Sequence, residues 1–117
     1  MAYVEIDPAI TLHSAVLGPA NGTVLDLTGL DGALIHLTTG GTAGVITPEV
    51  TTDGVEWRPA GALFQDMAGA TVVTTPAGTT QTLYKIVGVE GQLQFRARIS
   101  TAYVTTGITV RAYKIRA

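Results

Sequence analysis

The chain has 117 residues, the size of one domain, and no cysteine, so disulfides and thiolate metal sites are excluded. Charged residues make up 14% of it, against about 25% in an ordinary globular domain, while 46% are hydrophobic. A surface so sparsely charged is often one that another protein covers. The net charge of -2 hides an asymmetry. Residues 1 to 83 hold eight acids and one base, Arg58, whereas residues 84 to 117 hold six bases and one acid, Glu90. A basic final third can meet nucleic acid, but the pI near 5.5 and the lack of an aromatic-basic motif argue against it. Acidic and basic strands of one sheet, or of two subunits, pair more often. The opening MAYVEIDPAI lacks the positive region of a signal peptide, and no apolar run approaches the roughly 20 residues of a membrane helix. The expectation is a soluble protein made in the cytoplasm.

In chain order, residues 1–20 read as an extended arm, because Pro8 and Pro19 limit regular pairing. Val24 to Leu30 forms a first strand, Asp31-Gly32 a turn, and Ala33 to Thr39 the returning strand, with Leu34 and His36 on one face and Ile35 and Leu37 on the other. Asn21-Gly22-Thr23 fits a glycosylation sequon, but a glycine turn before a strand explains it far better. After the glycine-rich loop at 40–44, Val45 to Thr51 is a third strand in which Pro48 marks an edge or a bulge. Asp53-Gly54 turns the chain, and Val55 to Arg58 begin a fourth strand. Between Pro59 and Thr82 the pattern weakens to one strand, Thr71 to Thr75, and long connections of this kind are often functional. Thr82 to Val87 follows. Gln92 to Tyr103 alternates most clearly, Leu93, Phe95, Ala97 and Ile99 against Gln94, Arg96, Arg98 and Ser100. In the last strand, Ile108 to Ile115, Ile108, Val110 and Ala112 share one face and Arg111, Tyr113 and Ile115 the other. The prediction is an all-β antiparallel β-sandwich, jelly-roll or immunoglobulin-like, of about seven or eight strands. Residues 21–117 form it, and residues 1–20 form its arm.

No catalytic constellation stands out. His13 and His36 are the only histidines, too few for a metal site without cysteine, and Ser14 lacks a nucleophile elbow. Asp53 and Glu56 lie on the two sides of a turn rather than as a working carboxylate pair. TTGGTAGV lacks the lysine and the helix of a phosphate cradle. Trp57, the single tryptophan, leaves two readings open. A lone Trp is more often core, because it buries a large area, but its place after a turn also suits a platform for a sugar.

The stretches VTTDGVEWRPA, LYKIVGVEGQLQFRARISTAYVTTG and ITVRAYKIRA, with LDLTGLDGALIHLTTGGTAG before them, carry a resemblance. They are similar to small β-sandwich structural proteins of tailed-phage virions: capsid decoration, head-fibre and tail-fibre proteins. The likeness spans roughly residues 23 to 115, with Thr52 where that pattern often has Ser, and its motifs are turns and core positions rather than a site. It implies a non-enzymatic virion protein, foremost a capsid decoration protein that oligomerises, as a trimer, on the outer capsid surface. It would be made in the host bacterial cytoplasm and carried in the virion. The partner would be the major capsid protein or another virion protein; no cofactor, catalytic residue, metal, nucleic acid or membrane is expected. The residues expected to meet the partner are Tyr3, Val4, Ile6 and Ile10 in the arm and Arg96, Arg98, Arg111 and Tyr113 on an outer sheet face. The alternative is a receptor- or glycan-binding module of a tail fibre or baseplate, with Trp57 as its platform.

Overall fold

A computed structural model describes residues 5–6, 9–39, 41–76, 81–87 and 93–116. Among these, eleven strands form two antiparallel sheets: β1 (Glu5–Ile6), β2 (Ile10–Val16), β3 (Leu25–Asp26), β4 (Gly32–Thr39), β5 (Val45–Thr51), β6 (Arg58–Pro59), β7 (Phe64–Asp66), β8 (Thr75–Pro76), β9 (Gln81–Ile86), β10 (Gln94–Thr101) and β11 (Ile108–Arg116). The first sheet runs β1–β11–β4–β9–β7, with β2 also on β11. The second runs β3–β10–β5–β6, with β8 also on β5. This is the predicted sandwich, and its register follows from alternation. A one-residue slip would turn Ala33, Ile35 and Leu37 of β4, or Phe95, Ala97 and Ile99 of β10, out to water, whereas all six are buried. Where the sheets meet, Phe64 stacks on Phe95 at 5.6 Å between centroids and on Tyr84 at 5.2 Å. Alanines at 33, 97 and 112 leave the room these rings need.

Strands β4, β5 and β11 fall within a residue of the sequence reading, and β9 and β10 within two at each end. Other expectations change. The supposed arm supplies β1 and β2, which pair along the free side of β11 and so belong to the sandwich. Thr28 N–H donates to Asp26 Oδ1 and Leu30 N–H to Leu27 O, so the run from Val24 to Leu30 bends after two strand residues. β3 then pairs with β10 and β4 with β9 and β11, so Asp31-Gly32 crosses between sheets instead of closing a hairpin. β10 and β11 likewise lie in different sheets. In the weak stretch, Phe64–Asp66 is a strand, while Thr71 makes only a single bridge to Gln65. Pro48 sits between the two short strands that flank β5: β8 pairs with residues 45–46 and β6 with residues 49–50. Its missing N–H is not needed there, and its carbonyl accepts from Ala60 N–H at 3.0 Å.

One side chain ties the two sheets together. Along its β3 side, β10 bonds Ala20 through Ile99, pairs with Leu25 at Phe95 and accepts from Leu27 N–H at Leu93. Ala97 falls in the gap between these rungs, and its carbonyl accepts from Nε2 of His13, a buried residue of β2 in the other sheet. The chain at 20–24 passes around the imidazole. A Cβ on Gly22, whose φ is +75°, would come within 2.5 Å of the ring, so glycine is required here on both counts. Burial lowers the His13 pKa from its ordinary 6.5, against a smaller opposing effect of the bond to Ala97. The neutral ring is the native form. Folding stability is therefore complete above about pH 6.5 and falls as the pH drops from there toward the lowered native value, because the unfolded chain takes up the proton first. The melting temperature of the wild type should fall by a few degrees between about pH 7.5 and pH 5, and His13→Gln should flatten that slope. Equal slopes for the two proteins would remove this role from His13.

Candidate functional site

The corner after β5 is built by its own polar groups. Thr51 Oγ1 donates to Asp53 Oδ1 at 2.9 Å and accepts from Gly54 N–H at 3.0 Å. Asp53 Oδ1 also accepts the N–H groups of Val55 and Glu56, at 2.8 and 2.9 Å. Gly54 takes the positive φ that closes the turn. The two backbone donors, Val55 first, and then Thr51 hold the Asp53 carboxyl down at about 2. A carboxylate so engaged is a poor proton carrier at neutral pH. Asp26 is lowered in the same way by Thr28. A shallow depression of about 390 Å³ lies beside the corner, lined by Val50, Thr51, Thr52, Asp53, Glu56, Arg58 and Leu93. Across it Arg58 and Glu56 approach to 3.7 Å with both side chains exposed, a pair worth little in water.

Trp57 lies outside the core. Its ring rests on the outer face of the second sheet, with Arg96 Cζ 4.2 Å from the ring centroid. That distance is inside the range of a cation–π contact. The Nε edge of the same guanidinium group belongs to Glu49, which lies opposite Arg96 in the β5–β10 register. Arg96 Nε donates to Glu49 Oε1 at 2.8 Å, and Arg98 Nε donates to the same oxygen at 3.1 Å. Glu49 is only 8% exposed although it points away from the core, because the two arginines and the neighbouring strand cover it. Farther along this face Thr47 and Ser100 share a hydrogen bond of 2.8 Å. The result is a self-satisfied polar stack, Trp57 on Arg96 on Glu49, with Arg98 beside it. Glu49 escaped the sequence reading. Its signal was a lone acid on the outward parity of VITPEVT, set opposite a strand with two outward arginines.

The predicted partner residues thus separate. Arg96 and Arg98 are on the second sheet; Arg111 and Tyr113 are on β11 of the first, so the four share no single face. Arg111 is exposed and Tyr113 half-buried, both on the outward parity opposite Val110 and Ala112. Ile10 is half-buried and packs against the protein's own core, and Ile6 pairs by backbone with Ile115. Tyr3 and Val4 lie outside the described residues. Of the histidines, His13 is engaged internally and His36 stands on the outer face of the first sheet, between Arg111 and Leu83. Among the described residues no group of three or more His, Asp or Glu side chains is placed to hold a metal, and no helix is long and apolar enough to cross a membrane.

Glu49→Ala should cost about 2–3 kcal/mol in urea denaturation. That is less than a fully buried pair would lose, because Arg98 remains 38% exposed and partly solvated. Trp57→Ala should cost only about 1 kcal/mol. A loss of about 3–5 kcal/mol for Trp57→Ala would return the ring to the core.

No protein-family model matches the chain, and no curated protein matches it in sequence. Among solved structures it is similar to the crystal structure of the SPBc2 prophage-derived protein YomS, with a TM-score of 0.78. The match covers 98% of this chain and 96% of that one at 13% identity. At that identity the likeness is one of fold. The whole described sandwich, β1 and β2 included, is an architecture also used by a prophage-derived protein.

Proposed function

We propose that this chain is a non-enzymatic structural protein of a tailed-phage virion, a capsid decoration protein that docks on the outer capsid surface and stabilises it. The observation that carries the reading is the end-to-end match of the fold to a prophage-derived protein of nearly the same extent. The chemistry of the side chains supports it. Asp53, His13 and Glu49, whose side chains have the chemistry to act on a substrate, are each engaged in holding turns or sheets together. The major capsid protein is the partner on this reading. Symmetric capsid sites favour a homo-oligomer, with a trimer at a local three-fold position. A second reading, a glycan- or receptor-binding module of a tail fibre or baseplate, is favoured by one observation: Trp57 is on the outside.

The two readings diverge in one experiment. Particles of the encoding phage that lack this gene product are mixed with the purified protein, then sedimented and imaged. Decoration predicts saturable density on the capsid shell and capsids that survive heating by several more degrees. Density confined to the tail, with glycan binding that Trp57→Ala abolishes, would establish the second reading instead.

A further inference from the structure

We propose that the outer face of the first sheet is a docking surface for an acidic patch on another protein. The inference rests on the reading of the chain as a virion protein, in which that partner is a shell protein. The face is built from two cross-strand rows. One aligns Arg111, His36 and Leu83, and the next aligns Tyr113, Leu34, Lys85 and Gln65. All of them alternate with buried residues such as Val110, Ala112, Ile35 and Leu37, so they point away from the core.

The two sheets treat their cations differently. On the second sheet Arg96 and Arg98 converge on Glu49. On the first sheet, neither Arg111 nor Lys85 makes an ion pair among the described residues, and no described acid stands on the face. Strand spacing puts the two cations roughly 12 Å apart, with Leu34 and His36 between them. The result is a centre of one leucine and one imidazole with a positive charge at two corners. It calls for carboxylates spaced to match, around an apolar contact.

Two other occupants fit less well. Face-to-face pairing of two copies across a two-fold axis would bring a cation-bearing, acid-free surface against itself. Four strands of this length also offer on the order of 500 Å² a side, which suits an add-on contact to a large partner better than a permanent dimer. A nucleic acid would meet the cations but leave Leu34, Leu83 and Tyr113 uncovered, and the chain as a whole carries a net charge of -2.

The test compares the wild type with the double variant Arg111→Glu/Lys85→Glu and with Arg58→Glu, a control on an exposed arginine of the other sheet. Each is first checked for an unchanged thermal melt; should the double reversal fail to fold, Arg111→Gln/Lys85→Gln takes its place. Binding to the particles described above should fall at least about tenfold in the double variant, stay within about twofold in the control, and weaken in the wild type between 50 and 300 mM salt. Undiminished binding of the double variant overturns the inference while leaving decoration standing. So does a variant that binds particles but no longer self-associates, or a face whose only charge-dependent ligand is DNA in a gel shift. Should the wild type not bind particles at all, the decoration reading fails. The docking face is then judged separately by titrating the labelled protein with poly-L-glutamate. Amide shifts centred on residues 34–36, 83–85 and 111–113 support it, and shifts elsewhere, or none, reject it.

Discussion

The carbonyl of Ala97 has no strand to bond to, and much of the architecture follows from how it is satisfied. β10 pairs with β5 on one side along its whole length, but on the other it meets only fragments, Ala20 and β3. A buried carbonyl left without a donor is costly. The donor comes from the opposite sheet, as the neutral ring of His13, which places β2 against β11 and presses residues 20–24 around the imidazole. The segment that precedes the first long hydrophobic strand is thereby locked into the body of the molecule. A histidine in a chain with no metal cluster among its described residues and no nucleophile elbow has a structural task that explains it fully.

Electrostatics divides the two outer faces. The second sheet engages its own cations: one carboxylate takes two guanidinium groups, and an indole covers the nearer of them. Such a stack fixes the rotamers of four large side chains and presents a finished surface. On the first sheet Arg111 and Lys85 make no ion pair among the described residues and stand beside half-buried apolar side chains. The asymmetry of charge along the chain, acidic first and basic last, therefore resolves in space. Part of the basic third faces Glu49 from the acidic part, and part of it stays open.

The sequence was most legible where side chains alternate without interruption. QLQFRARIST and ITVRAYKI contain a period of two that only a half-buried strand explains, and β5 was readable in spite of Pro48 because its turn residues bound it. It was least legible where pairing is decided by distant partners. Nothing local in ITLHSAV says that its histidine is needed 84 residues away, so the proline-flanked segment read as an arm. Nor can alternation tell whether consecutive strands lie side by side or face to face, which is why the crossing between sheets at Asp31-Gly32 passed for a hairpin. Of the four outward residues singled out near the C-terminus, all point outward, but their grouping required the topology. Size alone left Trp57 open between core and surface, since an arginine can cover an indole as well as a core does.

Pro48 stands in β5, Pro59 in β6 and Pro76 in β8, so each strand along one margin of the second sheet lacks a backbone donor. β6 and β8 are also only two residues long. An open, regular margin invites another chain to add itself as one more strand, and this margin cannot serve as that template. On the proposed reading as a capsid decoration protein, which would work crowded against many copies of itself on a shared scaffold, such protection has a use. Its contacts with neighbours must then be made through side chains on faces, where charge and shape can choose the partner, rather than through backbone margins, which pair with little discrimination.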